Sequence, residues 1–503
     1  MAKHHGMNDM EGIDDFCHYG HESQEGDRFG RMFGGLPPLN MRAEELEKLG
    51  EQGGPMDGGE DFDRTDTVSA GQIFFGQFID HDITLDTTTS LASSTSPGEV
   101  PNVRTPALDL DNVYGMGPEA TPFLYRNERR DLDGHRDFAE IKLLTAKDGT
   151  AAKIPDEDRE PVDQPKKFRE HDLCRSPDGT AVIGDPRNDE NRVISQLQLA
   201  MIRFHNEVVD YLDEHGLEGE ELEGTELFEE ARRLVRWHYQ YVIVEDYLPK
   251  ICGKAVVDRI KGQGREFYCP GGGEPYIPIE FAAAAYRFGH SMMPERIQVQ
   301  KGETAYELFG HTFGIGFRPL DDEKAVVDWH ELTETTDEDR HVQNAEELDT
   351  KLATDLLDLR FIREGESSLA TRNLLRGQTF LLPSGEEVAR RMGRPESEID
   401  RVAGEARDMA GSDVDLSSGI PLWFYILTEA EELGREDAPG EFEDGEGLGP
   451  AGAQIVAETL YGLIELDERS YLASNRNWDP TDDGVGPRTL GNMLTFGRPD
   501  TIP

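Results

Sequence analysis

The stretch GQFIDHDITL, residues 76–85, sets Gln77, Asp80, His81 and Asp82 within six positions among apolar neighbours. Each of these groups needs a partner, because an unpaired buried polar group costs about 1–3 kcal/mol. Read as a helix, the segment puts Gln77 and His81 on one face, four residues apart, with Asp80 and Asp82 pointing to either side. The His81-Asp82 pair also has the form of the HD pair of metal-dependent phosphohydrolases, for which His18, His205 or His238 could supply further ligands.

Three more clusters could carry chemistry. In GDPRNDENR, Arg187 and Glu190 are three apart and can face the same way just before a long helical pattern, although such pairs are commonly helix-start ion pairs. In AYRFGHSMMP, Arg287 and His290 share a face behind the run Ala282 to Ala285, whose small side chains let a flat group or another helix come close. In TPALDLDNVYG, Thr105, Asp109 and Asp111 offer oxygens suited to a hard cation such as Ca²⁺, which takes six to eight of them, or to an ordinary acidic turn.

Taken in order, GQFIDHD, TPALDLDNVYG, DPRNDEN with the helix ending RFHN, YRFGH and RNLLRGQTFLLPSG resemble the animal-type haem peroxidases of the peroxidase-cyclooxygenase superfamily. These motifs span residues 76 to 385, and PLWFYIL further on is similar to bacterial members. The resemblance implies a mainly α fold with haem between a distal and a proximal helix. It makes His81 the distal histidine with Gln77 beside it, Arg187 the distal arginine and His290 the proximal ligand of haem iron. Asn373 would bond the far nitrogen of that imidazole and fix its tautomer, and Arg287 and Arg376 would pair with haem propionates. Asp82, Thr105, Ala107 through its carbonyl, Asp109 and Asp111 match a calcium site, Asp111 standing where some relatives have Ser. Asp80 and Glu190 fall where mammalian members form ester bonds to haem b, while Asn191 stands where one of them carries a sulfonium-forming Met.

The implied activity is reduction of hydrogen peroxide, with oxidation of a halide or small organic donor through a ferryl intermediate, as in a response to oxidative stress. His81 would move the proton between the peroxide oxygens and Arg187 would stabilise the departing one. Two rivals are a fatty-acid dioxygenase of the same superfamily and an HD-type phosphohydrolase. The first uses a Tyr three residues before the proximal histidine, where this chain has Arg287, and the second gives YRFGH and RNLLRG no task.

These groups need a scaffold of helices. NRVISQLQLAMIRFHNEVVDYL places Ile194, Leu197, Met201, His205, Val208 and Leu212 on one stripe, and His205 and His238 read as packing residues. A second helix is expected from an N-cap at Thr225 to about Pro249, and a third through IEFAAAAYRFGHSMMP. Short ribbons are expected at 297–300 and in QTFLLPSG, acidic loops at 334–349 and 437–446, and an irregular arm over 1–66 ahead of a peroxidase domain at 67–503. GLGPAG at 447–452 matches GxGxxG, but no strand pattern precedes it, so it reads as a loop before a helix.

Composition narrows the partners. Lys+Arg 51 against Asp+Glu 102 gives a net charge of −51 over 503 residues, which repels nucleic acid and anionic membranes. The acidity fits either a polycation partner or concentrated salt, and sparse Lys beside common Arg favours salt. Cys17, Cys174, Cys252 and Cys269 form no CxxC pair and read as free thiols. No window has the roughly 18–20 apolar residues of a membrane span, and MAKHHGMNDMEG has no apolar run, so a cytoplasmic protein is expected.

Overall fold

The computed structural model describes residues 29–59, 63–85, 102–126, 141–149, 151–154, 161–217, 221–271, 274–303, 305–308, 316–335, 342–359, 362, 365–482 and 484–496. Helices dominate, and the strands among these residues pair only as two-stranded ribbons. The first helix among the described residues, α1 (Ala43–Gly50), lies inside the stretch expected to be irregular. It forms because Glu45, Leu46 and Leu49 share a buried face, although Gly- and Pro-rich neighbours hide that periodicity in the sequence.

The helix α2 (Ala70–Ile83) carries the opening motif and buries twelve of its 14 residues. A helix enclosed on all sides has little amphipathic pattern. Its glycines let neighbours close in: a Cβ on Gly76 would lie 2.5 Å from the Tyr247 hydroxyl. The stripe helix is α3 (Arg192–His215), 24 residues and so about 36 Å long. Asn191 caps it by accepting from the Ile194 N–H at 2.9 Å, and all six expected stripe residues are buried.

The second expected helix, α4 (Gly224–Val242), is capped at Glu223 and not at Thr225. Nor does it stop at Pro249: a π turn at Ile243–Tyr247 leads into a further turn at Leu248–Cys252. Proline is tolerated there because it stands at the start of that turn, where its missing N–H costs least. Tyr247 leaves the π turn facing α2.

The third expected helix is broken. One α turn, Ile279–Ala282, is followed by a 3₁₀ segment, Ala285–His290, after Ala284 departs from helical geometry at φ −139° and ψ −76°. The proximal element is thus shorter and tighter than a continuous helix. In 3₁₀ geometry residues i and i+3 eclipse, so Arg287 and His290 stand one above the other. Behind them lie α5 (Leu369–Thr379), which carries Asn373, α6 (Leu422–Glu432), and α7 (Pro450–Leu466), which begins inside GLGPAG, so that only Gly447–Gly449 of the expected loop precede it. The ribbon at 297–300 shrinks to Arg296–Ile297, and QTFLLPSG closes α5 through Leu381, at φ 55°, instead of forming a ribbon. The acidic loop at 437–446 forms the hairpin Arg435–Ala438 with Glu441–Glu443.

The N-terminal segment clasps the proximal elements from outside. Met32 and Phe33 donate their N–H groups to Glu280 at 3.0 and 3.1 Å, and Arg31 donates to the Phe380 and Leu381 carbonyls at 2.7 and 3.1 Å. Phe29, Phe33, Leu46, Leu49 and Met56 join the same apolar core as the rest of the chain. Among the described residues no helix is long and apolar enough to cross a membrane.

Candidate functional site

A cavity of about 190 Å³ lies between α2 and the proximal segment. Gln77, Asp80 and His81 line one side, and Arg287 and His290 line the other. Glu190, Tyr247 and Tyr286 also face it. Five of the sequence-predicted groups for haem and peroxide are therefore brought together, with Glu190 as a sixth.

His81 is oriented by a chain of amides. Gln198 Nε2 donates to the Asn112 carbonyl at 3.2 Å, and a backbone carbonyl can only accept. Gln198 Oε1 therefore faces Asn188 and accepts from its Nδ2 at 2.7 Å, which turns Asn188 Oδ1 toward His81 Nδ1, also at 2.7 Å. Nδ1 must then carry the proton, and Nε2 keeps its lone pair. Burial, followed by the Arg187 charge, lowers the His81 pKa to about 4, so the ring is neutral at pH 7. Neither Asn188 nor Gln198 stood out in the sequence.

Beside it, Gln77 Nε2 donates to Glu190 Oε1, and Asp80 accepts from the Thr84 hydroxyl at 2.8 Å. Glu190 faces the cavity with 38% of its side chain exposed, and partial loss of solvation pushes its carboxyl up to about 7 against the opposing pull of Arg187. Glu190 Oε1 lies 3.9 Å from His81 Nε2.

On the proximal side, Asn373 Nδ2 lies 2.8 Å from His290 Nδ1, while Asn373 Oδ1 accepts from Arg287 Nη1 at 3.1 Å. Enclosure, then the Arg287 charge, lowers His290 to about 3 and keeps it neutral. Among the described residues its ring is bonded at Nδ1 alone, which leaves Nε2 for a metal. The Asn373 contact is the expected one, but its amide is reversed. Ligation through Nε2 requires a proton on Nδ1 and hence an amide oxygen facing it, a half turn that becomes available once Arg287 leaves Asn373.

Two expected groups stand away from the cavity lining. Arg187 donates Nε and Nη2 to Asp185, at 3.1 and 2.8 Å to Oδ1 and Oδ2, and Nη2 also to the His81 carbonyl at 3.0 Å. Arg376 lies one turn beyond Asn373, with its guanidinium 5.9 Å from the Phe380 ring centre. Neither lines the cavity.

Asp82 points away from His81, toward Asp109 and Asp111, and one carboxylate oxygen of each lies within 4.8 Å of the others. Leu110 makes the turn in left-handed geometry at φ 62° and donates its N–H to Asp82 Oδ2 at 3.2 Å. Asp82 is fully buried, and its Oδ1 and the hydroxyl of Thr105, four residues before Asp109, have no hydrogen-bond partner. Burial, then Asp111 and Asp109, holds the Asp82 carboxyl well above the usual range, and burial pushes Asp111 up to about 7 against the pull of Arg104. Such crowded carboxylates and orphaned oxygens fit a divalent cation, which would neutralise the charge. Ala107 lies half-buried in the same loop.

This carboxylate trio contains no histidine, which counts against an HD-type centre. His205 bonds the Tyr114 hydroxyl and the Ile141 carbonyl, and His238 bonds the Pro487 carbonyl, so both are packing residues as expected. His18 and Cys17 lie outside the described residues, and Cys174, Cys252 and Cys269 are free thiols.

The mainly helical fold is shared with solved peroxidase and fatty acid dioxygenase structures. Peroxidase A from Dictyostelium discoideum superimposes with a TM-score of 0.63 at 14% identity, over 95% of this chain and 94% of that one. A fatty acid alpha-dioxygenase from Arabidopsis thaliana reaches 0.56 at 16% identity, over 94% and 78%. The animal haem peroxidase family profile matches residues 85–398, and the chain belongs to that family. The match takes in the loop of Thr105, Asp109 and Asp111, together with Arg187, His290 and Asn373, but begins just after His81. Among relatives, Drosophila melanogaster dual oxidase is 28% identical over 200 residues, 37% of this chain and 11% of that protein. Drosophila melanogaster chorion peroxidase is 27% identical over 220 residues, 42% and 26%. The chain thus spans about a quarter or less of these relatives' lengths.

Proposed function

We propose that the chain is a peroxidase that holds haem in the cavity between α2 and the proximal segment, reduces hydrogen peroxide and oxidises a small halide or organic donor. The observation that carries this reading is the pair of neutral imidazoles lining one cavity, each bonded through Nδ1 to an asparagine. His290 Nε2 would hold the iron, Asn373 would steady the imidazole, and Arg287 is placed for a propionate. When bound, the haem supplies two-electron redox chemistry toward peroxide.

The chain's own part is proton handling. His81 Nε2, kept unprotonated by burial and by Arg187, accepts the proton of the inner peroxide oxygen and returns it to the outer one, which leaves as water. Gln77 and Glu190 orient the peroxide beside it. Arg187 can stabilise the charge on the departing oxygen only if its guanidinium reaches the cavity it does not now line. Asp82, Asp109, Asp111 and Thr105 would hold Ca²⁺ next to the distal helix, and Asp80 and Glu190 are the two carboxylates facing the cavity for ester links to haem.

The structural likeness to an alpha-dioxygenase supports a second reading. A tyrosine, Tyr286, does face the cavity, but it lies four residues before His290, and Arg287 stands at the third. Stopped-flow spectra of the haem-loaded chain separate the two. A peroxidase gives a Soret shift on adding peroxide that a donor reverses, and His81→Ala slows the shift by about 10²–10⁴-fold. Oxygen uptake on adding a fatty acid, with no donor turnover, would overturn the proposal.

A further inference from the structure

Asp111 does not face the cation site alone. Its Oδ1 accepts from Arg104 Nη1 at 3.0 Å, and the same guanidinium reaches Asp185 through Nε, at 3.1 Å to Oδ2, and through Nη2. Asp185 is completely buried and accepts at the same time from Arg187, which in turn bonds the His81 carbonyl. An unbroken line of charge-assisted bonds thus runs from a cation-site carboxylate to the distal helix: Asp111, Arg104, Asp185, Arg187 and His81. One carboxylate, Asp185, is shared by two guanidiniums, and a second, Asp111, helps balance them.

We propose that Arg104 and Asp185 are positioning residues that couple cation binding at Asp82, Asp109 and Asp111 to the setting of Arg187. The inference rests on the calcium reading above. A cation takes up part of the Asp111 charge and weakens its hold on Arg104 Nη1. The planar fork of Arg104 then settles on Asp185, the two guanidiniums are less well balanced, and Arg187 is released toward the cavity that it must reach to act on peroxide. Cation binding and Arg187 placement therefore share a free energy, and the coupling is reciprocal.

Calorimetric titration of the haem-loaded full chain with Ca²⁺ tests this in a four-member cycle of the unsubstituted protein, Arg187→Gln, Arg104→Lys and the double variant. Arg187→Gln leaves Asp185 to Arg104 and should tighten Ca²⁺ binding at least about fivefold. Lysine keeps the charge of Arg104 but cannot fork across two carboxylates, so in the Arg104→Lys background Arg187→Gln should change affinity by less than about twofold. The same factor in both backgrounds would mean plain charge repulsion and would overturn the coupling alone, whereas no Ca²⁺ binding in any member would remove the cation site as well. On the unsubstituted chain, phenylglyoxal labelling followed by peptide mass spectrometry gives a second reading. Arg187 should react faster with Ca²⁺ than with EGTA, and equal rates would overturn the proposal.

Discussion

Replacing Asn188 by alanine removes the acceptor that faces His81 Nδ1 at 2.7 Å. The Nδ1 proton then lies buried without a partner, at a cost of about 1–3 kcal/mol. The ring can escape that cost by moving its proton to Nε2, the nitrogen that must stay free to act as a base. Each 1.36 kcal/mol that favoured the productive tautomer is worth a factor of ten in its population, so peroxide should be consumed about 10- to 100-fold more slowly. That loss is smaller than for His81→Ala, because the imidazole is still present and part of the population still works. Asn188→Asp keeps an acceptor at Nδ1, so it should retain more of the rate than alanine while raising the His81 pKa. The assay is stopped-flow mixing of the haem-loaded variants with peroxide across pH, with circular dichroism to confirm the fold. A rate for Asn188→Ala within about twofold of the unsubstituted protein would show that the amide chain does not set the His81 tautomer.

The acid limb of the peroxide reaction should lie near pH 4, far below the 6.5 of free imidazole: His81 is the base above its lowered pKa and loses that function as pH falls through it. A limb at pH 6–7 that survives Glu190→Gln would contradict this. Calcium at one hundred times its Kd should add about 2.7 kcal/mol of stability, read as a higher melting temperature than in EGTA, and Asp82→Asn should abolish the difference; identical melting curves would rule out the site. Gly76→Ala should destabilise the chain by about 1–3 kcal/mol through overpacking against the Tyr247 hydroxyl, and Tyr247→Phe should relieve most of it in denaturant melts. If the −51 charge is suited to concentrated salt, refolding yield should rise steeply toward molar KCl, where the screening length shrinks to about 3 Å, and full refolding in dilute buffer would count against that habitat.

What the sequence revealed followed from regular spacing. The stripe of α3 was legible because its buried residues repeat at three and four over about five turns. The carboxylate trio was legible because Asp109 and Asp111 are near neighbours and resemble a known pattern, although only the left-handed turn at Leu110 shows how they reach Asp82. The broken proximal helix was not legible, since a run of alanines favours a continuous helix and gives no sign of the break at Ala284. Asn188 and Gln198 were hidden because a long-range amide bond leaves no period. Arg187 was picked out by motif, but nothing in the spacing showed that Asp185, two residues before it, holds its guanidinium away from the cavity lining.

The clasp of the N-terminal segment has a consequence for biosynthesis. Arg31 leaves the ribosome some 350 residues ahead of the carbonyls it grips, at Phe380 and Leu381. At translation rates of 5–20 residues per second, that is a wait of roughly 20–70 s. During that interval residues 31–33 have no proper seat, and the proximal elements they clasp lack that support. Prosthetic-group capture should therefore be a late step of maturation, and chains released prematurely should emerge colourless.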